Sequence, residues 1–311
     1  MPVVTTKITI GVDTHKDTHV AVALDGLGRR LAQQVVPATA AGYRELHRWA
    51  CALGHIEAFG VEGTGSYGAG LARHLRRSGN RVIEVNRPDR ATRHRYGKSD
   101  PIDAEAAARA VLAGTATATP KDGDDQVEVI RLLKLTRDSA VKAQTQAVNQ
   151  LKAVLVTAPE QLRESLAGLG PVTLLERCAA LRPGEPTTPL TAAKHALRLL
   201  ARRALTLRTE AKQLREHLDA LTSSACPALV ELIGVGPDTA AALLMAAGDN
   251  PHRLRSEAAF AALCGTNPIP ASSGKTTRQR LNRGGDRQAN AALHRAVVTR
   301  MHWHEPTRIY V

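Results

Sequence analysis

The segment KITIGVDTHKDTHVAVAL, Lys7–Leu24, decides the fold. Ile8, Ile10 and Val12 alternate with Thr9 and Gly11. After Asp13-Thr14-His15-Lys16-Asp17 the alternation resumes, with Val20, Val22 and Leu24 on one face. A period of two marks half-buried strands, so the segment reads as two β-strands with Asp13 at the end of the first. Asp25-Gly26 reads as a turn, Arg30 to Pro37 as a third strand and Ala40 to Leu53 as a helix. A fourth strand, Ile56 to Val61, runs into Glu62, followed by a glycine-rich turn, Gly63 to Gly70. A helix at Leu71 to Arg77 and a fifth strand at Arg81 to Val85 complete the pattern. Consecutive strands followed by alternating helix and strand predict an α/β domain of RNase H/RuvC-like layout, a mixed sheet covered by helices.

Beyond this the text becomes helical. Asp100-Pro101-Ile102-Asp103 opens a helix to about Leu112, with proline in the first turn and Asp100 read as the N-cap. Ala113 to Asp125 is a linker. Long helices are predicted over Gln126 to Thr157 and over Thr191 to Leu221. In the second, Leu197, Leu200, Ala204, Leu207, Ala211, Leu214, Leu218 and Leu221 form an unbroken heptad seam. The seam fits either the preceding helix or a second copy of the chain. Leu232-Ile233-Gly234-Val235-Gly236-Pro237 then divides a short helix from another, as in a helix-hairpin-helix or a plain αα-hairpin. The expected divisions are 1–125, a metal-binding domain; 126–222, coiled-coil helices for dimerisation; and 223–311, a mostly helical C-terminal domain.

Composition narrows the partner. The 311 residues carry 42 Lys plus Arg against 29 Asp plus Glu, a net charge of +13. A surplus of 7 lies between Arg73 and Lys98 and another of 7 between Pro251 and Val311, so the remainder is nearly neutral. Two concentrated basic stretches predict a polyanion partner. Aromatics are only 3% of the chain, too few for a base-stacking platform, so phosphate contact should dominate. Cys51, Cys178, Cys226 and Cys264 are widely spaced, which predicts reduced thiols and no zinc ribbon. The N-terminus lacks the apolar core of a signal peptide, and no run of about 18 apolar residues predicts a membrane span.

Four acids stand where chemistry is expected. Asp13 and Glu62 end strands, and Asp100 and Asp103, three apart at a helix start, share a face. Their convergence at one sheet edge would demand a cation, and oxygen-only ligands suit Mg²⁺, with Mn²⁺ as the alternative. His15 and Lys16 are placed to contact phosphate, and Asp17, Asp25 and Asp89 read as surface charges. A rival reading takes Gly63-Thr64-Gly65-Ser66-Tyr67-Gly68 as a dinucleotide fingerprint, with Glu84 about 20 residues on. Against it, Glu62 would place an anion beside the pyrophosphate, and the motif does not open the domain.

Near the C-terminus, after Cys264-Gly265, a proline-bounded loop presents Ser272-Ser273-Gly274-Lys275, followed by Arg278, Arg280, Arg283, Gly284-Gly285, Arg287, Asn290 and Arg295. A serine among guanidinium groups suits attack on a phosphodiester; a polar turn before a DNA-backbone helix is the plainer alternative.

The order Asp13, Glu62, Asp100, Asp103, then a coiled-coil region, then Gly265-x-x-Pro268-x-x-x-Ser272 with the Ser273-Gly274 pair, then Arg283-Gly-Gly-x-Arg287-x-x-Asn290, resembles the DEDD transposases of bacterial insertion sequences. The string Lys98-Ser99-Asp100-Pro101-Ile102-Asp103 is especially similar, and the likeness covers nearly the whole chain. The resemblance implies a DNA transposase or recombinase in which Asp13, Glu62, Asp100 and Asp103 hold Mg²⁺. It implies Ser273, or else Ser272, as a nucleophile that links covalently to DNA. It also implies double-stranded DNA and a structured guide (bridge) RNA as partners, a homodimer or homotetramer, no membrane, and a bacterial cytoplasmic, nucleoid-associated location. Lys16, Arg87, Arg90, Arg93, Arg95, Lys98, Lys275, Arg278, Arg280, Arg283 and Arg287 are the expected nucleic-acid contacts. Members of that family often continue beyond the arginine-rich helix, whereas this sequence ends at Tyr310-Val311. Two alternatives remain: a RuvC-like junction nuclease using the acids alone, and a non-catalytic nucleic-acid-binding protein.

Overall fold

The computed structural model describes residues 7–86 and 99–311. It divides into two compact units, one of residues 1–124 with 248–255, the other of 125–247 with 256–311.

The first unit is a five-stranded sheet in the order β3-β2-β1-β4-β5. β1 (Lys7–Thr14), β2 (Thr18–Asp25) and β3 (Arg30–Pro37) are antiparallel neighbours, while β4 (His55–Glu62) and β5 (Val82–Val85) continue the sheet in parallel with β1. Ile8, Ile10 and Val12 of β1 and Phe59 and Val61 of β4 pack against Leu46 and Ala50 of α1 (Ala40–Leu53) and Leu71 and Leu75 of α2 (Ala69–Arg77). On the opposite face Val20, Val22 and Leu24 meet Ala104 and Ala108 of α3 (Asp100–Leu112). α3 lies directly on β1 and β4 because both strands carry glycine beneath it. A Cβ on Gly11 would collide with the backbone of Ala104 and Ala108, and one on Gly60 would stand 2.7 Å from Val111 Cγ2 and 2.9 Å from Ala107 O. Gly11→Ala must therefore push α3 off the sheet. We expect a loss of about 3 kcal/mol or more, at the upper end for overpacking, read as a lowered unfolding midpoint; an unchanged midpoint would contradict the close approach.

Two local expectations change. Asp25, expected on the surface, is buried at the β2–β3 turn, where it accepts from Leu27 N, Arg29 N and Arg29 Nε at 2.7–2.9 Å. The Arg29 backbone N–H foremost, with the Arg29 side chain and Leu27 N–H, holds its carboxyl below the usual range despite burial. Asp100 is not the N-cap of α3. Ser99 holds that position in extended conformation, and Asp100 is the first helical residue, with Pro101 behind it. Residues 248–255 join this unit through Asn250, which is buried, accepts from Asp122 N at 2.9 Å and donates to Pro120 O at 3.0 Å.

In the second unit, α4 (Gln126–Thr157) packs along α7 (Pro189–Ala225). The heptad residues Leu197, Ala204 and Leu218 are fully buried. Short helices α5 (Glu160–Ser165) and α6 (Pro171–Ala179) close over one end, where Leu162, Leu175 and Cys178 join Leu151 and Leu197. Thr188 and Thr191 form a reciprocal capping box that starts α7 at Pro189. α8 (Pro227–Val230) and α9 (Pro237–Ala247) follow, joined through Gly234 at φ +89. α10 (Glu257–Leu263), the two-stranded β6 (Ile269–Pro270) and β7 (Gln279–Arg280), α11 (Arg287–Trp303) and α12 (Glu305–Tyr310) complete the unit. No helix among the described residues is long and apolar enough to cross a membrane.

An ionic hub ties these helices together. Lys134 on α4, only 5% exposed, donates to Asp238 at 2.8 Å and to Asp138 at 3.0 Å. Arg137 also donates to Asp238 at 2.8 Å, and Arg295 of α11 stands 3.5 Å from it. Burial pushes the Asp238 carboxyl up, but the Lys134 hydrogen bond and the charges of Lys134, Arg137 and Arg295 outweigh it and hold the carboxyl below its usual value. A carboxylate depressed in the folded state adds stability above its unfolded value and loses it as pH falls through the folded one. Asp238→Ala leaves Lys134 with Asp138 alone. We expect a cost of about 1–3 kcal/mol at neutral pH, less than the loss of a sole partner. The gap from wild type should narrow as denaturation curves are taken below the ordinary carboxylate range.

Candidate active site

Strand register builds the site. β1 and β4 run parallel with Gly11 opposite Gly60 and Val12 opposite Val61, so Asp13 and Glu62 stand one residue further on, at the carboxyl ends of neighbouring strands. Val12 and Val61 point into the α1/α2 core. Alternation then turns Asp13 and Glu62 to the other face, where Gly11 and Gly60 meet α3. The Thr14 hydroxyl donates to Glu62 O at 2.9 Å and ties the two strand ends. α3 runs back along β1, so its first turn, with Asp100 and Asp103, lies at the same edge. Asp13, Glu62 and Asp103 are all buried, at 7%, 6% and 6% exposure, while the Asp100 side chain is half exposed.

His15 joins them. Its Nε2 is 3.3 Å from Asp100 Oδ1 and 3.7 Å from Asp13 Oδ2. The β1–β2 turn fixes its backbone through His15 N–H to Thr18 O at 3.0 Å. Ligand atoms of Asp13, His15 and Asp100 all lie within 4.8 Å of one another, a group that could hold a metal ion. Burial raises the Asp13 carboxyl above its ordinary value; His15 pulls it back, and the charges of Asp103 and Asp100 push it further up. Asp13 Oδ2 is buried and accepts no hydrogen bond among the described residues. A buried acceptor among like charges is the environment that a hard divalent cation relieves. His15, expected from the sequence to contact phosphate, instead stands between two of the acids. The available signal was its position two residues after Asp13, on the same face of an extended segment.

The glycine-rich turn after β4 folds on itself. Ser66 N and Gly68 N both donate to Gly63 O, at 2.8 and 3.0 Å, and a Cβ on Gly68 would stand 2.6 Å from Glu62 O. Those N–H groups are thus not turned outward toward a pyrophosphate. Glu84, which a dinucleotide would need for its ribose, accepts from the Thr64 hydroxyl at 2.8 Å. The turn packs Gly68 closely against the Glu62 carbonyl.

Lys16 is exposed in the β1–β2 turn. Arg87, Arg90, Arg93, Arg95 and Lys98, with Asp89, lie outside the described residues. The serines belong to the second unit. Ser273 and Thr276 exchange backbone hydrogen bonds of 3.1 Å around Gly274, whose φ is +56, at the tip of the β6–β7 hairpin. The Ser272 hydroxyl accepts from Arg278 N at 3.2 Å across that hairpin. Ser273, Lys275, Arg278 and Arg280 are exposed there, as are Arg283 and Arg287 further on.

Residues 10–158 match the family model DEDD_Tnp_IS110, a transposase, and residues 226–311 match a model described as the transposase IS116/IS110/IS902 family. No curated protein matches the chain.

Proposed function

The chain belongs to the IS110 family of DEDD transposases, and from that premise we propose that it exchanges DNA strands with two centres, a carboxylate-held Mg²⁺ site and a serine nucleophile. The observation that carries this reading is the meeting of Asp13, His15 and Asp100 beside buried Asp103 and Glu62 at one sheet edge.

In this reading Asp13, Glu62, Asp100 and Asp103 hold Mg²⁺, or Mn²⁺, with His15 at the rim. Bound there, the metal supplies Lewis-acid stabilisation of charge developing on the phosphate oxygens. The Thr14–Glu62 hydrogen bond and the glycine contacts under α3 keep the carboxylates in place before DNA arrives. The Ser273 hydroxyl gives up its proton and its oxygen attacks phosphorus as the bond from phosphorus to the deoxyribose oxygen breaks; that oxygen leaves with a proton as a free hydroxyl, and a phosphoserine ester remains. Arg278, Arg280, Arg283 and Lys275 carry the phosphate charge, and Lys16 with Arg87, Arg90, Arg93, Arg95, Lys98 and Arg287 follow the nucleic-acid backbone.

Family membership and the two basic stretches support double-stranded DNA as substrate, and membership supports a structured guide RNA as a second partner. The α7 seam packs on α4 within the chain, so a homodimer or homotetramer would join copies through the outer faces of this long helix pair. The α8–α9 segment acts as a helix-hairpin-helix against phosphate. The functional division is metal-binding 1–125, coiled-coil 126–222 and serine-bearing 223–311. The test is to incubate the full chain with guide RNA and element-end DNA, then denature it. The expected result is a divalent-metal-dependent DNA–protein adduct. Free cut ends without an adduct would favour the RuvC-like nuclease instead.

A further inference from the structure

A cleft of about 440 Å³ opens in the second unit, outside the acid site and the serine hairpin. One wall is α4, with Lys134 and Lys142; the other is α11, with Arg287 and Arg295; α9 closes the base with Asp238 and Ala242. Its volume falls in the range of about 300–1,000 Å³ typical of ligand sites.

The charges in this cleft are unequal. Asp138 and Asp238 line it, but both are engaged by Lys134 and Arg137, and Asp238 by Arg295 as well. Lys142 and Arg287 line the same cleft and have no carboxylate within 4.0 Å among the described residues. The ionic hub thus fixes the walls, joining α4 and α11 through the first turn of α9, and leaves two exposed cations without counter-charge at the mouth. Among the described residues no aromatic side chain lines the cleft, so none of them stacks a base there. Uncompensated Lys and Arg among small aliphatic residues Val141, Ala242 and Ala291 suit a ligand that is anionic and read without regard to sequence.

We propose that this cleft binds the phosphodiester backbone of a nucleic-acid strand, with Lys142 and Arg287 each contacting a phosphate. The proposal rests on the transposase reading for the presence of nucleic acid, and adds a docking site beyond the two centres that do chemistry. Arg287 opens α11, with six residues between it and the end of β7.

The test measures binding of the full chain to a labelled DNA duplex and to a labelled single-stranded RNA over a salt series. Wild type is compared with Lys142→Gln/Arg287→Gln. A control, Lys212→Gln/Arg215→Gln, removes the same charge from the exposed face of α7. Thermal unfolding verifies that both variants fold. Each lost phosphate contact lowers the magnitude of the log K against log salt slope by about 0.9 for duplex and about 0.7 for single strand. The cleft variant should lose nearly two such units on one nucleic acid, which identifies the strand bound, and the control should lose little. Equal slopes for the cleft variant and wild type on both nucleic acids would overturn the cleft, and so would equal losses in cleft and control variants. Either result leaves adduct formation, and with it the catalytic reading, standing. A wild-type chain that binds neither nucleic acid would overturn both.

Discussion

Asp13→Asn is expected to lower strand exchange at least about 1,000-fold, because it removes one anchor of a metal that supplies several kcal/mol to the transition state. The same substitution should stabilise the metal-free protein. Burial and the charges of Asp103 and Asp100 hold the Asp13 carboxyl above its ordinary value. An acid raised in the folded state costs stability once pH passes its unfolded value, and the full cost is present above the folded one. Asparagine removes the charge and keeps the shape, so the metal-free midpoint at neutral pH should rise by about 2–4 °C for each kcal/mol recovered. Mg²⁺ should raise the wild-type midpoint by mass action and leave the variant's almost unmoved. Activity thus falls while metal-free stability rises, a combination that damage to the fold cannot produce. A lower metal-free midpoint in the variant would assign Asp13 a structural role instead.

Ser273→Ala should abolish the covalent adduct, a loss of at least about 1,000-fold on the scale of removing a nucleophile, with nucleic-acid binding retained. Ser272→Ala should keep the adduct. The distinction is geometric. Both serines are exposed, but the Ser272 hydroxyl accepts Arg278 N–H across the hairpin, whereas the Ser273 hydroxyl, beside the positive-φ Gly274, has no hydrogen bond among the described residues. Losing the Ser272 hydrogen bond at a solvated position costs about 0.5–1.5 kcal/mol, enough to loosen the tip but not to remove an attacking group. Adduct at wild-type yield in Ser273→Ala, with none in Ser272→Ala, would exchange the two roles. Adduct in both single variants and in the double would remove the serine step altogether.

The first two strands were legible because their larger apolar residues alternate. Ile8, Ile10 and Val12 face one core, and Thr9, Gly11 and Asp13 the other side, so the position of Asp13 followed from the same pattern that identified the strand. The pairing with β4 was not legible, since no local signal sets Gly11 opposite Gly60. That match becomes visible only with α3 pressed onto both glycines. α5 escaped notice because six residues hold too few turns to show a period, and the nine residues of α6 were not recognised either. The β6–β7 hairpin has two residues a strand, too short for alternation, and read as a loop. α7 was recognised by its seam but begins two residues early, since Pro189 is admitted in the first turn behind the Thr188 cap. His15 was noticed as a charge near phosphate and not as a neighbour of Asp100, because that approach depends on the turn bonded to Thr18.

The acids at the ends of β1 and β4 and the start of α3 are expected to form one divalent-cation site. Anomalous diffraction from crystals soaked in Mn²⁺ tests it most directly. The expected map has Mn²⁺ density bounded by Asp13, Glu62, Asp100 and Asp103, with His15 beside it. Full Mn²⁺ occupancy elsewhere on the chain, with none at that edge, would contradict it.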